Sequence, residues 1–509
     1  MITLVETGVD VQQKGCLEDG DMPKDYRIAV LDLGKTNKKI AIFTPELDLE
    51  YKESIQIGET RIDGLLSDDI SETTLWALEE LRRIAERCPI RVISITTFGA
   101  TIALLNKKGE LAFPIISYNQ EPGDEKKRKF HEEFESDGIK TATPPYGQLL
   151  NAGLQLFWLK GRYPPRFAGV KDVLFLPQYI GYILTGEKAV EFTCVGCHTY
   201  LYDFEKKDWS NVAKKLGVLD KFPPEFSNPW DALGILKADI CASTGLDRNC
   251  IVTVGIHDSN SSLLPYLLVE RDLILASTGT WCVFMCPGAD FQLSMDDLYH
   301  DTLYYLDPFG RPVRSARFKG GEEHAYYIDL IEKRFGSDPR KIRLNPDLLS
   351  DILASCDSFV IPTLTPGSGQ FPRSKPRIIG EEIYRDVETA YHVLNLSLAI
   401  QSYFSIRQIT GDEVRKMPIF IEGGFSDNEV YLGILSTLFP EQEVIITDIQ
   451  EASALGAAIC GKCAYENVNP MQIDPALIKI DRREIEKLDL DRKLLGRYIN
   501  KFVEHCSSE

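Results

Sequence analysis

Three short strings carry the residue types that phosphate chemistry needs. In Asp32-Leu33-Gly34-Lys35-Thr36-Asn37 a carboxylate ends an apolar run, and a turn with a glycine, a hydroxyl and two nearby lysines, Lys35 and Lys39, follows. Backbone N–H groups of such a turn can approach phosphate oxygens, Asp32 can hold Mg2+ through water, and Lys35 or Lys39 can offset phosphate charge. An ordinary hairpin with solvated lysines fits the same residues. A Walker A loop does not: Ala29 stands where that loop needs glycine, and a strand rather than a helix follows. In Gly255-Ile256-His257-Asp258-Ser259-Asn260 a carboxylate lies just beyond an apolar strand, where open α/β folds bind ligands. Asp258 there suits a general base for a hydroxyl, or equally an N-cap for a Ser-rich helix starting near Asn260. In Glu422-Gly423-Gly424-Phe425-Ser426-Asp427-Asn428 two glycines let a flat ring approach the backbone, and a helix start offers donors. The small residues of Glu451–Ala458 beyond it permit close helix packing.

The elements that must hold these strings alternate strand and helix, which predicts an α/β fold. Strands are expected at Arg27–Leu33, Lys39–Phe43, Arg91–Thr97, Ile251–Gly255, Leu273–Ser277, Trp281–Met285, Ser358–Ile361 and Pro418–Glu422. Helices are expected at Ser71–Cys88, opened by Ser71, at Asp386–Thr410, apolar on one face, and at Asn428–Phe439. Asp32–Phe43 and Ser277–Phe284 share one layout of strand end, polar turn and strand, with Thr36 and Thr280 about half the chain apart. A duplicated two-domain fold with a cleft follows, divided near Val269–Asp272.

Length and composition agree, since 509 residues exceed one ordinary domain, and 44% hydrophobic with 26% charged residues is average globular usage. A net charge of −19 disfavours nucleic acid and anionic membranes, and Lys126–Lys129 sits among acids as a solvated helix face. No apolar run is long enough to span a membrane, and Met1–Asp25 reads as a polar tail rather than a signal peptide. A cytoplasmic protein with reduced thiols is expected among its twelve cysteines. The pairs Cys194/Cys197 and Cys460/Cys463 have zinc-ligand spacing, but ordinary buried cysteine is the simpler reading.

Taken in order, D-x-G-x-T-N, G-x-H-D, S-T-G-T-W and G-G-x-S-D-N…E-A-x-A-L-G-A-A resemble the FGGY family of carbohydrate kinases, within the actin/hexokinase/Hsp70-like superfamily. Leu154–Leu159, Tyr179–Glu187 and Trp230–Leu246 add to the resemblance, which covers roughly residues 26–465. It implies an α/β fold of two ribonuclease-H-like (actin-like ATPase) domains, 26–268 and 269–509 after a tail 1–25, with ATP and sugar meeting between them. It implies Asp258 as general base, Asp32 and Asp258 near Mg2+, and Gly34, Thr36, Asn37, Thr278, Gly279 and Thr280 around phosphate, with Lys35 and Lys39 beside them. It implies Gly423, Gly424 and Asn428 at adenosine.

The chain departs from the family pattern mainly at the sugar end. Lys35 replaces the usual threonine after the first glycine, Gln155 a lysine, and Ser117–Glu121 and Thr96–Ala100 the usual substrate segments. Thr97, Phe98, Tyr118, Gln120, His257 and Asp258 are the candidate sugar contacts. The partner implied is a small sugar or polyol, and homo-oligomer formation stays open. S-T-G-T-W and the His257-Asp258 pair look more like rhamnulose and fuculose kinases than glycerol or xylulose kinases. The alternatives are a xylulose or other polyol kinase, or a non-catalytic nucleotide-binding regulator, while a serine hydrolase fails for want of a G-x-S-x-G elbow.

Overall fold

Arg27–Leu33 (RIAVLDL) is buried from Ile28 onward, as a central strand covered on both faces must be. In the computed structural model, which describes residues 25–144, 148–380, 385–411, 416–449 and 451–507, it anchors a seven-stranded sheet. On one side it pairs antiparallel with Asn37–Phe43, which pairs antiparallel with Leu49–Gln56. On the other it runs parallel to Ile90–Thr97, then comes Ile251–Thr253 in parallel and Ala232–Ile235 antiparallel. The short strand Ile256–His257 pairs with the far end of Ile90–Thr97.

The second sheet repeats this plan. Ile274–Thr278 pairs antiparallel with Cys282–Pro287, which pairs antiparallel with Pro312–Phe318. On its other side lie Ile419–Gly423 and Val444–Asp448 in parallel and Asp481–Glu484 antiparallel. Five successive pairings match in direction, so the echo between the two hairpins marks a repeated architecture, and the expected two-sheet α/β class holds. The tail, apart from Asp25, lies outside the described residues.

The halves interlock through two helices. Asp258–Val269 follows the first sheet, yet its Leu263, Tyr266 and Leu267 cluster with Leu273, Leu275 and Phe420 of the second. Ala452–Glu466 follows the second sheet, yet its Ala454, Ala457 and Ile459 cluster with Ile28, Val30 and Val92 of the first. The small-residue string explains the close crossing: a Cβ on Gly456 would overlap the Ser261 carbonyl, and one on Gly461 would come 2.6 Å from Ile28 Cγ2.

Three local expectations change. The helix Ile70–Ala85 is capped by Asp69, which accepts the Glu72 N–H at 2.9 Å, so Ser71 lies inside it. The helix Val387–Thr410 is buried on all sides from Thr389 to Ser402, not on one face. It tolerates this because its polar groups bond inward, Asn395 to the Tyr391 carbonyl and Gln401 to Glu323. The strand expected from Lys39 begins at Asn37. The basic run lies on the helix Asp124–Lys140, where Lys129 and Arg128 pair with Glu125 and Glu132. No helix among the described residues is long and apolar enough to cross a membrane.

Candidate active site

The first hairpin turn closes tightly, since a Cβ on Gly34 would come 2.9 Å from the Asn37 carbonyl oxygen. Just before it, buried Asp32 accepts the Ser453 hydroxyl at 2.8 Å and pairs with Lys39 at 3.1 Å. Burial pushes the Asp32 carboxyl up, and Lys39 opposes that rise. Lys39 also bonds Glu451, at the start of the crossing helix from the other half. Lys38 donates to the Gly34 and Lys35 carbonyls, both at 2.7 Å, and burial lowers its pKa to about 8.

Lys35 lies at a cavity wall with its ammonium held by protein groups. Its ammonium bonds Asp68 at 2.6 Å and the Ser117 hydroxyl at 2.8 Å, and pairs with Glu59 at 2.9 Å. It also lies 4.3 Å from the Tyr118 ring centre and 5.2 Å from that of Phe98. The lysine that departs from the family pattern thus joins the segment that departs from it at the sugar end.

Asp258 opens its helix as the first helical residue, with His257 in the cap position, so it is not an N-cap. Its Oδ1 accepts the Ser259 N–H at 2.6 Å and the Ser259 hydroxyl at 3.3 Å. Asp258, Asp32, Gly34, Lys35, Thr36, Asn37 and Lys39 line one cavity of about 500 Å³, with Ser277 across from them. It shares Lys39, Ser262 and Ser453 with a second cavity of about 690 Å³, which reaches Gly423, Asp427 and Arg482. The sequence alone pointed to neither Ser453, Glu451 nor Arg482 as parts of this cleft.

The sugar candidates divide. His257 pairs with Thr97 in the sheet, and Phe98 meets Tyr118 edge-on at 6.0 Å. Burial pushes the Tyr118 phenol up to about 12. Gln120 instead accepts the Leu66 N–H at 2.9 Å and donates to the Glu121 carbonyl, so its amide serves the backbone. Gln155 does the same, donating to the Ala100 and Leu149 carbonyls.

The second turn is fastened to the glycine turn. The Thr278 hydroxyl donates to the Glu422 carbonyl at 2.5 Å and accepts the Phe425 N–H at 3.0 Å. It is buried and spent, whereas Gly279 and Thr280 are exposed. Gly423 has φ +87°, and a Cβ there would overlap the Thr278 carbonyl; on Gly424 a Cβ would sit 3.5 Å away, an ordinary contact. Asn428 is a buried N-cap, accepting the Tyr431 N–H at 3.1 Å and donating to Asn395, so it supports the glycine turn from beneath.

The residues present fit a nucleoside triphosphate and Mg2+. Two carboxylates and Thr36 line one cavity, the oxygen chemistry a hard divalent cation takes, and the turns supply backbone and lysine donors for phosphate.

Comparison with known proteins agrees in order and extent. Residues 27–265 match the N-terminal domain of the FGGY family of carbohydrate kinases, and residues 270–470 match the FGGY C-terminal domain. A carbohydrate kinase from Novosphingobium aromaticivorans superimposes with a TM-score of 0.79 at 28% identity, covering 95% of this chain and 99% of that one. An L-fuculokinase from Escherichia coli (strain K12) is 25% identical over 299 residues, 56% of this chain and 61% of that enzyme, so the match spans about three fifths of that relative's length. A rhamnulokinase from Oceanobacillus iheyensis is 21% identical over 414 residues, 76% of this chain and 81% of its own. With both domain matches in sequence along one chain, and the paired sheets and turns to go with them, the protein belongs to the FGGY family of carbohydrate kinases.

Proposed function

We propose that this chain is an ATP-dependent sugar kinase that transfers the γ-phosphate to a hydroxyl of a ketose or polyol. The observation that carries this reading is the shared cavity: Asp258 opens onto the space lined by Asp32 and the first phosphate turn. Asp258 takes the proton as the hydroxyl oxygen attacks the γ-phosphorus, and the bond to the bridging oxygen breaks to release ADP. Gly34, Thr36 and Asn37 hold phosphate from the first half, and Gly279 and Thr280 from the second. Lys39 offsets charge on the same side. Asp32 and Asp258 would hold Mg2+ through water, and that ion supplies electrostatic relief on the phosphate oxygens. Gly423 and Gly424 line the nucleoside end. Residues 26–268 then form the acceptor half and 269–509 the nucleotide half.

A 6-deoxy-ketohexose, L-rhamnulose or L-fuculose, is the acceptor we favour. The His257-Asp258 pair supports it, as do the fuculokinase and rhamnulokinase relatives. A panel of ketoses and polyols in an ADP-release assay with Mg2+ tests both levels. Stimulation greatest with a 6-deoxy-ketohexose is expected; preference for a pentulose or glycerol overturns the acceptor alone. ATP binding without stimulation by any acceptor leaves a nucleotide-binding regulator instead.

A further inference from the structure

His257 is buried beside Asp258. Nδ1 faces the side-chain nitrogen of Asn260 at 3.2 Å, and Nε2 lies 3.3 Å from Asp258 Oδ1. Cys197 Sγ approaches Nε2 at 3.9 Å. Gly99 closes the remaining side, where a Cβ would come 2.7 Å from Nε2. The backbone is pinned as well, since the His257 N–H donates to the Thr193 hydroxyl at 3.0 Å.

An amide nitrogen only donates, so with Asn260 Nδ2 facing it Nδ1 accepts, and the ring proton sits on Nε2. Nε2–H then lies 3.3 Å from Asp258 Oδ1, beside the oxygen that already takes the Ser259 N–H and hydroxyl. Two Ser259 donors bond this oxygen, and the imidazole N–H sits beside it. No protein group among the described residues bonds Oδ2, and the side chain is 35% exposed beside the cavity. Donors stabilise charge on the oxygen they bind, so the two oxygens of this carboxylate are unequal.

Resting on the kinase reading, we propose that His257 is a positioning residue, held in its Nε2–H form by Asn260, which pins Asp258 Oδ1 and leaves Oδ2 to take the acceptor's proton. His257 then acts through Asp258 and does not touch the sugar. The logic is that of a base oriented by a third group.

Steady-state kinetics of the full chain with its best acceptor test this, alongside melting temperatures for His257→Leu, His257→Gln and Asn260→Leu. His257→Leu should lower kcat roughly 10–100-fold, the range for losing an orienting partner, with both KM values within about twofold. His257→Gln carries a terminal amide that can restore an N–H near the Nε2 position and should recover most of that loss. Asn260→Leu removes the donor to Nδ1 and should cost about fivefold in kcat, the worth of one buried hydrogen bond. Equal kcat losses in the Leu and Gln variants would make the ring a packing element and overturn the proposal. A raised acceptor KM with kcat preserved would make it a sugar contact and overturn it too. Should His257→Leu not fold, an unchanged kcat in Asn260→Leu overturns it by itself. A parent without acceptor-stimulated turnover overturns the kinase reading and this role together, whereas an active parent lacking the Leu/Gln contrast overturns this role alone.

Discussion

The turns Gly34–Thr36 and Gly279–Trp281 join matching strand pairs but are held by different chemistry. The last rungs before the first are Asp32–Lys39 and Leu33–Lys38; before the second they are Ser277–Val283 and Thr278–Cys282. The first turn is fixed by lysines, each bound to carboxylates or carbonyls. The second is fixed by neutral bonds from Thr278 to the glycine turn, with Trp281 lying 4.6 Å from Arg317. A repeated fold therefore gives two turns of like backbone and unlike support, lysine–carboxylate pairs at the first and threonine bonds with a guanidinium over Trp281 at the second. Asp32, Lys39 and Asp258 reach the cleft from the first half and the helix start beside it, while the second half brings Glu451 and Arg482 along with its glycine turn. Damage at Asp258 should show in kcat, and damage at the glycine turn in nucleotide affinity.

The largest effect is expected from Asp258→Asn. The amide keeps an oxygen for the Ser259 N–H but cannot take a proton, so kcat should fall roughly 10²–10⁴-fold. Melting temperature and ATP affinity should hardly move, because the residue is half-exposed at a helix start. A kcat within about threefold of the parent would remove Asp258 as base.

Gly423→Ala breaks the other side of the comparison. A Cβ there meets the Thr278 carbonyl at a positive φ, so the bond network joining the two turns must shift. ATP affinity should drop about tenfold and stability by about 1–3 kcal/mol, the cost of a residue held in a disfavoured backbone region. Gly424→Ala, whose Cβ would make only an ordinary contact with the Thr278 carbonyl, should cost less stability than Gly423→Ala. Calorimetric titration of both variants with ATP decides, and an unchanged affinity in Gly423→Ala would mean that the glycine turn does not hold the nucleotide.

Much of this contrast could be read in the sequence. RIAVLDL announces a buried strand, and a carboxylate after Ile251–Val254 announces a ligand-side acid, because both signals are local. The destinations of side chains are not local. Lys35 binds Asp68 and Ser117, 33 and 82 residues away, and no spacing rule connects them. Asn428 belongs to a motif and yet lies beneath the turn as a cap, since motif strings do not say which face a residue takes. Val387–Thr410 looked one-faced because its serines and amides counted as polar, while their bonds to the helix's own carbonyls and to Glu323 let them be buried. Each crossing helix packs on the other half's sheet, which only the assembled fold can show.

The smallest effect on turnover, and the sharpest test of the first turn, is Lys35→Met. Were Lys35 a phosphate ligand, its loss would raise the KM for ATP. Its ammonium is instead taken by Asp68, Glu59 and Ser117, so the KM for ATP should stay within about twofold. The acceptor KM should rise severalfold, because Tyr118 and Phe98 lose the cation beside them. Stability should fall by about 3 kcal/mol near neutral pH, since Asp68 is buried and removing one partner strands a charge. Burial already raises the Asp68 carboxyl, and Lys35 opposes that rise. Without Lys35 the folded pKa climbs further above the unfolded value. The folded state then holds a proton that the unfolded chain gives up, so the variant loses stability as pH rises. The gap in melting temperature between parent and variant should be small at pH 5 and widen by pH 8. A gap constant with pH would show that the Lys35–Asp68 pair is not the fastening of this turn, and a raised KM for ATP would return Lys35 to the phosphate.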